Sequence, residues 1–217
     1  MAGEARRETE WVDGFLFVGN HLALDFLNTK PILEGEPTEL LPNAAALERW
    51  LIASGIVTSQ QDRALVRGWR NSRGAEAFVK KLIAFRERLR ASVLRLEGGS
   101  LPGDAFLAEV NTLLKEHPQR AHLSKQRSQV VLKVFIEPRR PEDIWAAIAA
   151  AATKLLSQIE PSRIRKCEAE SCVVHFYDTS KKGSRRWCSM NICGNKLKVA
   201  AYQRRRRNRA GSSIVDE

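Results

Sequence analysis

Residues 163–198 read RIRKCEAESCVVHFYDTSKKGSRRWCSMNICGNKLK, and they contain every cysteine of the 217-residue chain. The spacing is Cys167-x4-Cys172-x15-Cys188-x4-Cys193. Two short cysteine pairs separated by a loop of this size can grip a metal from two sides, and zinc takes four thiolates tetrahedrally at about 2.3 Å. The expectation is one Zn²⁺ held by Cys167, Cys172, Cys188 and Cys193. Such a site is coordinatively closed, hence structural and not catalytic. Metal binding would also explain how so small a segment folds, with Phe176, Tyr177, Trp187 and Ile192 as its core. The alternative reading is of buried or redox-active thiols. His175 lies in the same window, but beside a complete set of four it reads as a packing residue. Asp178, just before Thr179 and Ser180, is expected to bond local backbone in a turn.

Beyond the last cysteine the chain becomes strongly basic. A helix is expected here, with Lys196, Lys198, Arg204, Arg205, Arg206, Arg207 and Arg209 able to neutralise phosphates and release counterions. Arg185 and Arg186, on the loop before Trp187, could add readout of a guanine edge or could simply complete the module. Charge is distributed very unevenly. Residues 161–209 hold 14 Lys+Arg against 3 Asp+Glu, whereas the rest of the chain holds 22 of each, so the whole net charge of +11 sits in the cysteine segment. That asymmetry suggests a basic binding module on a neutral domain, the alternative being a solubilising tail.

Upstream the periodicities change. Phe15 to Val18 is apolar and is followed by Gly19-Asn20. His21 to Asn28 (HLALDFLN) fits either a short strand or one helical face. Thr29 to Pro42 is a loop broken by Pro31, Gly35 and Pro37. Helices follow from Asn43 to Gly55, from a Thr58/Gln61 capping box, and from about Ala75 to Glu97. Phe78, Leu82, Phe85, Leu89, Val93 and Leu96 form one stripe of the last of these. Asp104 is expected to cap a further helix, Gln129 to Glu137 to form the clearest strand, and Pro141 to open a helix reaching about Ile159. Pro161 marks a change of character. The fold class is therefore α+β: a mainly helical N-terminal domain with a few strands at 11–160, then a small zinc module at 161–209 ending in a basic helix. His21, Asp25 and Asn28 are polar groups in an apolar segment. They would either line a small-molecule pocket or pin the adjoining loop through backbone hydrogen bonds.

The motif Arg185-Arg186-Trp187-Cys188-Ser189-Met190, then Cys193-Gly194-Asn195-Lys196, resembles the CGNR zinc finger of bacteria. Cys167, Cys172 and the Phe176-x-Asp178-x-Ser180 pattern are similar to it too. Lys196 stands where the family name has arginine, which keeps the charge but not the planar fork. Gly19, Leu24-Asp25-Phe26, Asn28-Thr29 and Leu41-Pro42 resemble the ABATE domain that accompanies this finger. The resemblance implies a stress-induced transcriptional regulator with an N-terminal sensing domain.

Catalytic signatures are missing from the sequence: no nucleophile constellation, glycine-rich phosphate loop or HExxH site is present. The expectation is a non-enzymatic, DNA-binding regulator answering to a small-molecule effector, with the homodimeric arrangement usual for such proteins. RNA association, or an enzyme acting through an N-terminal pocket, are the competing readings. Met1 to Glu10 carries charges of both signs and no apolar signal core, and no stretch approaches the roughly 20 apolar residues of a membrane span. A cytoplasmic protein with reduced thiols and no membrane contact is expected.

Overall fold

The computed structural model of the chain describes residues 10–195. The expected basic helix, with Lys196, Lys198, Arg204 to Arg207 and Arg209, lies outside the described residues. The architecture is mainly helical with small strand pairs. Strands β1 (Trp11–Val12) and β2 (Phe15–Leu16) form a minimal hairpin and lead into helix α1 (Leu22–Leu27). A second minimal hairpin, β3 (Ile32–Leu33) and β4 (Glu36–Pro37), interrupts the proline-rich loop. Helices α2 (Ala44–Ala53), α3 (Gln60–Arg70), α4 (Arg73–Glu97) and α5 (Asp104–Glu116) follow. Next come the hairpin β5 (Arg120–Gln126) and β6 (Gln129–Phe135), then helix α6 (Trp145–Ser157). The cysteine segment begins with β7 (Ile164–Lys166) paired with β8 (His175–Tyr177). The four strand pairs among the described residues are antiparallel and separate from one another.

Local chemistry sets the helix boundaries. His21 precedes α1 in extended conformation, and its Nδ1 accepts the Ala23 amide at 3.2 Å. The ambiguous HLALDFLN segment is thus helical, with Asn28 as its C-cap. Asn43 caps α2 through the Ala46 amide at 2.9 Å, and Gly55, at φ +81°, permits the turn that ends it. For α3 the cap is Ser59, not the expected Thr58. Its hydroxyl accepts the Asp62 amide at 3.0 Å and donates to the Asp62 carboxylate at 2.7 Å, so the cap pair falls one residue later. Ser72 caps α4, which starts at Arg73, two residues ahead of the expected Ala75. Asp104 is the first helical residue of α5, and Gly103 takes the extended cap position without a side-chain bond.

Helix α4 is the spine. Its stripe of Phe78, Leu82, Phe85, Leu89, Val93 and Leu96 is buried against α1, α2, α3, α5 and the turn before α6. Trp145 sits edge-on to Phe78 and Phe85 at 5.3 and 5.2 Å. Strand β6 was legible, but its partner β5 was not, because Arg120, His122, Lys125 and Gln126 give β5 no apolar alternation. The polar centre of the domain is Arg86, which is fully buried. It donates to Thr29 Oγ1 and Glu39 Oε1, each at 2.8 Å, and to Glu87 at 3.0 Å. Burial would lower the basicity of Arg86, but Glu39 and Glu87 outweigh it and hold the guanidinium charged. One side chain thereby ties α4 to the loop after α1. Among the described residues no helix is long and apolar enough to cross a membrane.

Replacing Arg86 by alanine strands Thr29 and Glu39 and opens a cavity. The variant is expected to lose about 2–4 kcal/mol of stability in urea denaturation, partial exposure of Glu39 keeping the loss below that of a fully buried pair.

Candidate metal centre

The cysteine segment folds as two turns facing each other. The first turn lies between β7 and β8, where Cys167 N–H bonds Val174 O at 2.9 Å and Cys172 N–H bonds Ala169 O at 2.9 Å. The second is a single wide helical turn, Met190–Gly194, started by Ser189, whose hydroxyl accepts the amides of Asn191 and Ile192 at 2.9 and 3.2 Å. Gly194 packs closely there: a Cβ would come within 2.7 Å of Met190 Sδ and 3.0 Å of Trp187 Cδ1, so both side chains would have to shift.

These turns bring the sulfurs of Cys167, Cys172, Cys188 and Cys193 within 4.8 Å of one another, with all four thiols free. Tetrahedral thiolates on zinc would stand roughly 3.8 Å apart. Cys172 and Cys188 sulfurs are 3.9 Å apart, and those of Cys188 and Cys193 3.5 Å, so the donor set fits a zinc ion. The electrostatics agree. Hydrogen bonds from its cysteine neighbours, and from the Cys188 amide at 3.3 Å, hold the Cys167 thiol far below its usual range. That thiolate in turn pushes Cys172 up to about 12 and raises Cys188 as well. Thiolates this close repel one another, and a cation among them would offset that repulsion. His175 turns away from the sulfurs. Its ring nitrogens meet Val173 O at 3.1 Å and the Glu97 carboxylate, at the end of α4, at 3.3 Å.

The loop between the pairs is organised by Asp178 and Arg185. Asp178 is fully buried and accepts the Ser180 and Arg185 amides, each at 2.8 Å. Burial alone would raise the Asp178 carboxyl, but the hydrogen bonds from Ser180 and Arg185, with Arg165 nearby, bring it below the ordinary value. The Arg185 guanidinium points inward over the Phe176 ring at 4.1 Å and donates to the carbonyls of Trp187, Cys188 and Val18. Arg186 is exposed, lies 4.8 Å from the centre of the Trp187 ring and bonds Glu168 at 2.6 Å.

The finger does not stand alone. Its core joins Cys167, Ala169, Val174, Phe176 and Cys188 to Leu16 and Val18 from the N-terminal arm. The alternate residues Phe15 and Phe17 point the other way, into the helical core. Strand β8 is clamped against α1 and its approach. Tyr177 N–H bonds Gly19 O at 2.8 Å, and Asn20 Nδ2 donates to Tyr177 O at 3.0 Å. Asn28, 2% exposed, donates to His175 O at 2.8 Å and accepts its N–H at 3.0 Å. Asp25 accepts the Gly19 amide at 2.8 Å, and a Cβ on Gly19 would lie 2.9 Å from that carboxylate. The three residues singled out in HLALDFLN therefore each bond backbone: His21 that of α1, Asp25 that of Gly19, Asn28 that of the finger. Neither of two surface hollows, one near Leu65 and Phe135 and one beside the cysteines, is lined by them. Leu16, Val18 and Gly19 carry the seam, and the unbroken apolar run from Phe15 to Val18, which leaves no polar face, was the signal that could have found it.

Asn28→Ala leaves two buried peptide groups of His175 unpaired and is expected to cost about 2–4 kcal/mol in chemical denaturation. Burial, with the Lys154 ammonium near, pushes His21 down from 6.5 to about 4. The unfolded chain therefore binds the proton first, so this contribution to stability is complete above pH 6.5 and is lost as pH falls toward about 4. Denaturation midpoints should drop over that window in the native chain, and His21→Asn, which can still cap α1, should remove this part of the drop.

Comparison with protein-family profiles gives two matches. Residues 20–159 match the ABATE family, described as "Putative stress-induced transcription regulator". Residues 163–206 match the CGNR zinc finger. A search of curated proteins found no match. The matched ranges take in α1, the helical core and both cysteine pairs, and the chain belongs to the ABATE family, carrying a CGNR zinc finger at its C-terminal side.

Proposed function

We propose that the chain is a DNA-binding transcriptional regulator. Its finger holds one structural zinc ion on Cys167, Cys172, Cys188 and Cys193, and its helical domain serves as the sensing half. The observation that carries this reading is the union of a four-sulfur cluster spanning 4.8 Å with the entire excess positive charge of the chain. A closed four-thiolate ion offers no position for substrate, so its work is to fix the finger and aim the basic residues attached to it. The ABATE description points to regulation of transcription. In this reading Arg185 positions the finger from within. Phosphate contact falls to Arg186, Lys196, Lys198 and Arg204 to Arg207.

The shared core supports signal transfer. A ligand that shifts the segment from Phe15 to Asn28 acts on the same residues that clamp β8. Function therefore needs no separate linker between sensing and binding.

Elemental analysis of protein purified without added metal is expected to give about one zinc per chain, lost together with the fold of the finger on chelation. Protein with no metal and oxidised thiols would refute the site. Binding to duplex DNA should weaken steeply with salt. Replacing Arg204 to Arg207 by alanine should flatten the slope of log K against log salt by about 2–4, as expected when up to four phosphate contacts are lost. Unchanged affinity would remove the role given to the arginine run, and stronger competition by single-stranded RNA at matched salt would move the assignment to RNA.

A further inference from the structure

The four cysteines are not equivalent in access. Cys167 and Cys188 are 3% and 0% exposed, whereas Cys172 and Cys193 are half-buried and open to one side. That side is an open hollow of about 420 Å³ between the finger and the two N-terminal hairpins. Trp11, Pro31, Ile32 and Leu33 line it from the N-terminal side, and Val174 and Ile192 from the finger; of the three cysteines that border it, Cys188 is fully buried, whereas Cys172 and Cys193 are partly exposed. Glu170 is the one charged residue lining it. The volume falls within the range of small-ligand sites, which are mostly apolar with a few convergent polar groups. Ile32 and Leu33 are partly buried and belong to neither packed core of the described residues.

We propose that this hollow is a modification site, in which Cys172 and Cys193 react with small, neutral, apolar electrophiles of the α,β-unsaturated carbonyl class. The proposal rests on the reading of these sulfurs as thiolates of a zinc site. A thiolate is a soft nucleophile, and access decides which of several thiolates reacts. The apolar walls favour a neutral carbon electrophile over an anionic one, which Glu170 also opposes. The sulfur forms a bond to the β-carbon, the C=C π pair shifts to join the α-carbon to the carbonyl carbon, the C=O π pair moves to oxygen, and the enolate takes a proton at the α-carbon from water, leaving hydroxide. The resulting thioether is neutral and a poor metal ligand, so each addition weakens the four-sulfur cluster. Leu16 lines the same hollow and belongs to the finger core, so the reaction is reported directly to the seam.

The test uses the full chain as purified, with cyclohexenone as the apolar probe and iodoacetamide as a small polar comparator. Adducts are mapped by peptide mass spectrometry before the average reaches one per chain, while a chromogenic chelator follows metal release. Cys172 and Cys193 are expected to react with cyclohexenone about tenfold faster than Cys167 and Cys188, with metal release tracking the adducts. Leu33→Asp, which places a charge in the wall, should slow cyclohexenone about fivefold relative to iodoacetamide. Adducts spread evenly over the four cysteines would overturn the proposal, as would equal slowing of both reagents by the variant. Total zinc measured on denatured protein separates the two claims. Its absence would refute the zinc reading, and the adduct map would still decide the modification site.

Discussion

The segment from Phe15 to Val18 has no solvent side. Phe15 and Phe17 enter the helical core, and Leu16 and Val18 enter the core of the finger. An extended chain sends successive side chains to opposite faces, so four apolar residues in a row require a buried surface on each side. The finger supplies one of those surfaces. Its own strand pair is only three residues per strand, too small to be stable in water by itself. Two elements that could not be buried separately thus complete each other, and β8 is fixed by Asn28, Gly19 and Asn20 at its backbone.

The sulfur cluster depends on this arrangement as much as on the cysteine spacing. Asp178 and Arg185 shape the loop between the pairs, and the Arg185 guanidinium reaches Val18 O, across the seam. The Ser189 hydroxyl, which starts the second cysteine turn, also bonds the Glu10 carboxylate. Each turn of the cluster is therefore held in part by residues from the other end of the chain. A metal ion there would stabilise more than the finger, because whatever binds the folded form alone stabilises every element that folds with it.

Much of this was legible in the residues. The cysteine spacing anticipated the cluster, the Asn43 cap and the Phe78–Leu96 stripe anticipated α2 and α4, and Asp178 was read as a turn residue. What escaped reading was non-local. His21, Asp25 and Asn28 suggested either a pocket or backbone anchoring, and periodicity cannot say that the anchored backbone for Asn28 belongs to a strand in another module. Strand β5 carries no apolar alternation because the faces of its hairpin stay largely exposed, as Leu123 at 71% and Val130 at 65% show. The Thr58 cap missed by one residue because the neighbouring Ser59 hydroxyl can cap as well, and the Asp104 cap missed because the extended position before α5 falls to Gly103, which no side-chain rule selects.

The central claim is that the finger and the N-terminal arm form one cooperative unit. Amide hydrogen exchange, compared before and after chelation of the metal, tests it most directly. The account predicts that chelation speeds exchange in residues 15–28 together with residues 164–177. Faster exchange confined to residues 163–195, with residues 15–28 unchanged, would contradict it and make the finger an independent attachment.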